Sequence, residues 1–599
     1  MHLFFRKLLS ALLAIMLLFS FAAAEEQLAD TVSEGLDYSF QQLLWDELLG
    51  LWKDNIQPEP TDAILETGTA VNRKMKSMAF DSADTLPTEY DENLNIRSIR
   101  MAESLPDNFK VSADNTVSTA SSPNPIYIFF DSADEAGVMY FYTEGDQIFM
   151  NPDSSDLFRG CRSLSDITGL QTWNTQNVIS FRNLFAGVSG ITNLNSLPGW
   201  NTSNVTDMQG MFFHMTRLTD ITALAGWNTS NVTSMRGMFY CATALSDISA
   251  LANWDTSSVI SIDYIFAGDS LVSLHGLENW DTRCLRSMSG AFAQNRYLAN
   301  AKPVFTWNTS NVIDISGLFM YDTSLTSINL SQWDTGNVTD VSDLFSHDSS
   351  LISIDLTGWD MSKVTNMSCM FQVGESHAGN GELIKISGLG SWDVSNVTDM
   401  TCMFYGAAQM TTYDIADWDV SKVESFNHMF TDNYSLCYLD LSRWNVQSVK
   451  TMNNMFDDNF MLITIGDVSH WNTVNLIDAG GWMNGARSFI GNNGILDLSG
   501  WNTINLKSTK EMFREIKVHT IDLTGWTFDS ITNKSWEGAG KGIYYETTTG
   551  MSVMFQDTSL LKTVYVSQSG LESFHAAEER EIDMTDMWLD SSISGFTVK

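Results

Sequence analysis

Three residues able to hold a soft metal recur at one interval. Cys369, Cys402 and His428 each lie ten residues after a tryptophan (Trp359, Trp392 and Trp418) in three successive stretches of similar wording. Thiolate and imidazole together suit zinc or copper(I), and stacked copies would bring them within about 5 Å of one another per step. No fourth ligand is apparent, and the same position holds Gly210, Gly237 and Gly317 elsewhere. The plainer reading is therefore drift at a place for small residues. A second set is acidic: Asp334, Asp360, Asp393 and Asp419 each directly follow a tryptophan. A row of carboxylates could contact a ligand. An Asp or Asn at this point, as also at Asn201, Asn228, Asp255 and Asn308, equally suits a turn in which the side chain bonds its own backbone. Signals for catalysis are otherwise missing from the sequence. The nine histidines are dispersed, and there is no phosphate-binding glycine loop, G-x-S-x-G or H-E-x-x-H. The expectation is a protein without enzymatic activity and with no cofactor.

What must position these residues is a repeat. Tryptophans stand at 173, 200, 227, 254, 280, 307, 333, 359, 392, 418, 444, 471, 501 and 526, mostly 26 or 27 residues apart. A fixed period of this length marks a solenoid, in which each unit buries its apolar face only against the next. In one unit, Leu325, Ile328, Leu330 and Trp333 form an L-x-x-I-x-L-x-x-W line, whose alternation suits a short strand. After the turn at Asp334, apolar residues fall five, eight, eleven and twelve positions past most tryptophans, as in Val205, Met208, Met211 and Phe212. That spacing predicts one side of a helical or 3-10 turn. The longer units, such as that ending at Trp227, are expected to carry their extra residue in or just after the strand, as a bulge or looser turn. Fourteen coils at strand spacing would extend about 65–70 Å, with the aromatic rings as core.

Composition narrows the function. A hydrophobic content of 44% supports a core. The formal charge of −39 argues against nucleic acid, whose binders neutralise phosphates with Lys and Arg, and against an anionic lipid surface. Arg6 and Lys7, the apolar run Leu8 to Phe21 and the small residues Ala22 to Ala24 read as a secretory signal peptide over 1–24. No stable membrane span is expected after its removal. Six scattered cysteines do not form a dense disulfide scaffold.

The phrase W-[ND]-T-S-N-V-T-x-M-x-x-M-F, preceded by L-x-x-I-x-L-x-x-W, resembles the 26-residue repeat of BspA-like bacterial leucine-rich-repeat surface proteins. The resemblance covers residues 158–566. It implies a right-handed leucine-rich-repeat-like coil with one short strand per repeat in a parallel sheet, short 3-10 or helical turns opposite, and caps at both ends. It also implies a protein secreted or displayed at the cell surface. Its expected role is adhesion or protein interaction through a long repeat face, with a protein or glycan ligand on host or microbial surfaces; the alternative is a glycan-binding or structural surface-layer protein.

The remaining segments are expected as an amphipathic helix (25–57), a linker (58–122), an N-terminal cap (123–157, from Ile126 to Phe130 and Phe141 to Phe149) and a C-terminal cap (567–599). Three stretches depart from the repeat and are expected as loops that could carry specificity: 372–385, 480–494 and 533–550. Pro303, which cannot donate to a strand pairing, predicts an irregular coil before Trp307.

Overall fold

In the computed structural model the described residues are 61–79, 88–131, 137–373, 381–532 and 550–599. The chain divides into two units, Met1–Pro60 and Thr61–Lys599. The expected signal peptide and amphipathic helix fall in the first, outside the described residues. Residues 374–380 and 533–549 of two proposed loops also lie outside them.

Consecutive coils are joined by parallel backbone bridges at a fixed register. One chain of bridges runs from Asp153 through Ser180, Asp207, Ser234, Ser261, Ser287, Asp314, Asp340, Asn366, Asp399, Ser425, Thr451 and Asp478 to Ser508 and Gly550. From Ser180 to Ser508 every member lies seven residues after its tryptophan. A second row of parallel pairs forms at the L-x-x-I-x-L line, where it becomes regular strand in two groups. The first joins β6 (Ser327–Asn329), β7 (Ser353–Asp355) and β8 (Lys385–Ser387). The second joins β9 (Ile495–Asp497), β10 (Thr520–Asp522), β11 (Thr563–Val566) and β12 (Thr597–Val598). The parallel, in-register architecture expected of the repeat is present, and it contains little helix.

The segment expected as a helical or 3-10 turn is built differently. After Trp200, the N–H groups of Met208, Gly210, Phe212 and His214 donate to Ser234, Arg236, Met238 and Tyr240 in the next coil. The alternate N–H groups of Met211, Phe213 and Met215 donate three residues back within their own coil. The result is a chain of tight turns stitched to the neighbouring coil. In the turns closed by Met211 and Met215 the third residue has positive φ, Gly210 at 61° and His214 at 56°, as a type II turn requires. Positions ten and fourteen past the tryptophan keep this sign in most coils. They hold Gly237 and Cys241, Gly317 and Tyr321, Asn454 and Asp458. An α-helix would have sent each N–H four residues back.

The longer coils place their extra residue in a 3-10 turn just before the tryptophan, as at Thr222–Gly226 and Ser249–Leu251; the shorter ones use strand there, as in β6 and β7. Pro303 sits in another such turn, Lys302–Val304, where its missing donor costs nothing.

The interior is one continuous apolar cluster. Twelve phenylalanines from Phe158 to Phe456 stack at centroid separations of 5.3–6.4 Å. The tryptophans form a parallel column, as at Trp280–Trp307 (6.1 Å, 4°). Most of the repeat's indole N–H groups donate to the coil before, as Trp359 to Leu330 O (2.9 Å) and Trp418 to Leu389 O (2.9 Å), while those of Trp227 and Trp392 have no acceptor. Such a column combines a large apolar surface with a donor that most coils can pair.

The N-terminal end is larger than the cap expected at 123–157. Residues 58–122, expected as linker, contain β1 (Asp62–Ile64), α1 (Gly68–Met78) and β2 (Ser98–Met101). They combine with β3 (Ile126–Asp131), β4 (Val138–Thr143) and β5 (Gln147–Phe149). β1 pairs with β5, and β2–β4–β3 make a mixed sheet. Bridges Ser98↔Asp166 and Phe149↔Asn174 continue both into the first coil. The correction has a physical cause: α1 buries only Gly68, Val71, Asn72, Met75 and Lys76, a face too polar to stand out by periodicity. Gly68 is needed for the approach, since a Cβ there would lie 2.3 Å from Ser155 O. At the other end, α2 (Gln568–Glu579) is capped by Ser567 Oγ. The tail then completes another coil, with Val553 and Phe555 donating to Thr585 and Met587 and Trp588 stacked on Phe555 at 4.6 Å.

Candidate functional site

The four aspartates after the tryptophans are all exposed, on successive coils. In each, Oδ1 accepts the N–H two residues on: Asp334 from Gly336 (3.1 Å), Asp360 from Ser362 (2.9 Å), Asp393 from Ser395 (3.0 Å) and Asp419 from Ser421 (3.0 Å). These are side-chain-closed turns. The carboxylates of adjacent coils face each other closely: a Cβ on Gly336 would sit 3.4 Å from both Asp334 Oδ1 and Asp360 Oδ2. The hydrogen bonds from Ser362 hold the Asp360 carboxyl below its ordinary value. Those from Ser395 do the same for Asp393, against the opposing push of Asp360 and with help from Lys422. Both are therefore fixed negative charges at neutral pH.

Beneath this row the coils are clamped by buried threonines. Thr335 Oγ1 donates to Asp360 O (2.9 Å) and accepts from Asp360 N (2.8 Å); Thr202, Thr229, Thr282 and Thr309 donate likewise to the next coil. Beside it, Asn204, Asn231, Asn311 and Asn337 donate to a carbonyl of the previous coil. Turn formation and a preorganised acidic row are thus the same residues seen from two sides.

Cys369, Cys402 and His428 do share one rung. Their φ values are 57°, 56° and 55°, and Cys369 N donates to Thr401 O while Cys402 N donates to Asn427 O, both at 2.8 Å. This is the left-handed turn position, which explains Gly210, Gly237 and Gly317 there. The histidine is drawn elsewhere: its Nδ1 lies 3.2 Å from Thr431 Oγ1 and its Nε2 3.4 Å from Asn454 Nδ2. Among the described residues no three His, Cys, Asp or Glu side chains are gathered as metal ligands.

One polar column escaped the sequence reading. Fifteen residues past the tryptophan, where other coils bury Val188, Met215 or Ala407, stand Asp269, Asn295, Asp322, Asp348, Asn433 and Asn459, all buried. Asn295 Nδ2 donates to Phe266 O and Phe292 O (2.8 and 2.7 Å). Asp322 Oδ1 accepts from Asn295 N (2.8 Å) and Asp348 Oδ1 from Asp322 N (2.6 Å), but the Oδ2 atoms of both aspartates find no donor. Burial pushes Asp269, Asp322 and Asp348 well above the carboxylate range, and Asp348 adds to the effect on Asp322. The signal was the recurrence of Asp and Asn at one apolar position.

An open hollow of about 380 Å³ at the cap is lined by residues that include Met101, Glu103, Pro106, Phe129, Asp131 and Tyr140. Among the described residues no helix is long and apolar enough to cross a membrane.

The repeat matches the family described as "Mycoplasma protein of unknown function, DUF285" over residues 153–280, 269–383, 375–495 and 440–539. The chain belongs to this family. No curated protein matches it. Among solved structures, this DUF285 chain is similar to one from "Structure of the Toll - Spatzle complex, a molecular hub in Drosophila development and innate immunity". That match has 12% identity and a TM-score of 0.16, covering 63% of this chain and 53% of that one. It is also similar to the functional domain of InlJ from Listeria monocytogenes, which "includes a cysteine ladder" (11% identity, TM-score 0.16, 66% of each chain). The chain thus spans less than two thirds of the length of either.

Proposed function

We propose that this DUF285 chain is a secreted or surface-associated BspA-like repeat protein, wound as a right-handed solenoid, that acts as a non-enzymatic adhesion or protein-interaction module. The observation that carries the reading is the row Asp334, Asp360, Asp393 and Asp419. Four exposed carboxylates repeat at coil spacing, each locked by its own turn, so little side-chain entropy is lost when a partner docks. The partner that complements such a row is a protein surface with lysines or arginines, on a host cell or another microbe. Fixed negative charge also speeds the encounter with it.

Asp→Asn substitution separates charge from turn, because Asn201, Asn228 and Asn308 already close the same turn with Oδ1. The full chain carrying D334N, D360N, D393N and D419N should keep its melting temperature and lose salt-sensitive binding to host or microbial cells. Unchanged binding by that variant would refute the acidic row as the contact. Saturable binding to a glycan array that survives the substitutions would favour sugar recognition instead.

A further inference from the structure

We propose that Cys369 and Cys402 are a redox-active pair that closes to a disulfide, stapling two successive coils. The two cysteines flank the insertion that makes Trp359 to Trp392 the widest spacing of the repeat, where 33 residues replace the usual 26 or 27. They nevertheless hold the same register. The bridge Asn366↔Asp399 sets it, and the N–H groups of Cys369 and Phe371 reach Thr401 O and Met403 O at 2.8 and 2.9 Å. Paired residues of adjacent parallel segments lie about 4.8 Å apart, within the 4.4–6.8 Å that a disulfide needs between Cα atoms. Their matching φ values, 57° and 56°, give the two residues the same backbone conformation at this rung. The thiols are in contact: the Cys402 thiol, together with burial and the nearby Asp343 and Asp399, pushes the Cys369 thiol far above its ordinary value. None of the other four cysteines has this arrangement. The neighbours of Cys241 at its rung are His214 and Gly268, and those of Cys284 are Ser258 and Asn311.

The chemistry needs a low-molecular-weight disulfide as oxidant. Cys369 is the more exposed of the pair, and Cys402 is buried. The Cys369 thiolate attacks one sulfur of the reagent and releases one thiol, forming a mixed disulfide. The Cys402 thiolate then displaces the second. Two protein thiols are oxidised, the reagent disulfide is reduced to two thiols, and these carry away both protons. Because the attacking species is the thiolate, closure accelerates as pH rises.

The test uses the full chain incubated with oxidised or reduced glutathione at pH 8, followed by alkylation and peptide mapping without reduction. The expected result is one cross-link, Cys369 to Cys402, with the thiol count falling from six by two and a melting temperature that rises on oxidation. C402S should instead trap glutathione on Cys369, and neither C402S nor C369S should show redox-dependent melting. A mixed disulfide at Cys369 that persists in the unsubstituted chain, or six thiols still free after oxidation, would overturn the proposal. So would one equivalent of zinc that protects both thiols from alkylation, which would return the trio with His428 to a metal site.

Discussion

Replacing Asp322 with Asn should stabilise the protein at neutral pH and do nothing at pH 4. In the neighbouring coil Asn295 shows what this position accommodates: Nδ2 donates to two phenylalanine carbonyls. Asp322 keeps the Oδ1 contact with Asn295 N but its Oδ2 has no donor. The buried carboxyl therefore enters the fold carrying its proton. Its folded value lies well above its unfolded one, so its contribution is intact below about pH 4 and is lost as pH rises. Each pH unit between the unfolded and the folded value costs about 1.36 kcal/mol. The gain for D322N should grow with that slope from near zero at pH 4, with Asp348 taking a share as the like charge beside it. Urea unfolding at pH 4, 5.5 and 7, with amide exchange over residues 315–350 as the local readout, measures it. A pH-independent change, or a loss of stability at pH 7, would refute the protonated column.

Other outcomes follow from single contacts. Asp457 is pushed up to about 8 by burial, with Asp458 and Asp432 adding to it; thermal stability should fall between about pH 4 and 8, and D457N should flatten the decline in a calorimetric pH series. Trp359→Ala removes a buried ring and its bond to Leu330 O and should cost about 3–5 kcal/mol in denaturant unfolding, while Trp359→Phe costs less. Thr335→Val leaves Asp360 N and O without the hydroxyl that serves both, a loss of about 1–3 kcal/mol. Gly317→Ala tests backbone alone, since φ is 58° and the nearest atom to the new Cβ is 4.0 Å away. It should cost about 1–2 kcal/mol, with Gly317→Asn closer to neutral.

The tryptophan period made the stacking, the shared interior and the turn at Asp334 legible, because each depends on residues repeating in one register. The short helical segment was misread for a definite reason. Val205, Met208, Met211 and Phe212 have the apolar spacing of a helix, yet half of the N–H groups around them bond about 26 residues away, which periodicity within one unit cannot register. The discriminating clue lay at positions ten and fourteen, where Gly, Asn, Asp, His and Cys alternate as left-handed turns demand. The segment 480–494 shows the same effect. Gly481 and Gly485 occupy these two positions of the ordinary coil, so only Gly491 to Gly494 forms an added turn. The cap over 58–122 stayed hidden because Lys76 is buried through bonds to Glu89 O and Thr88 O, a burial that polarity disguises.

The stitched turns have a direction. From Met208 to His214 the four cross-coil N–H groups all point toward the C-terminal neighbour, and the same sense recurs at Met367, Cys369 and Phe371 and again at Val553 and Phe555. Regular parallel strands cancel such vectors between their two sides, whereas this row adds them. This row of turns is therefore electrically polar, its partial positive side facing Asp583 to Leu589, opposite in sense to the arrangement within an α-helix, while cross-coil bonds elsewhere, such as Thr206 N to Ile179 O and Thr219 N to Thr192 O, run the other way. Asp583, Asp586 and Asp590 lie on that side, where negative charge is favoured.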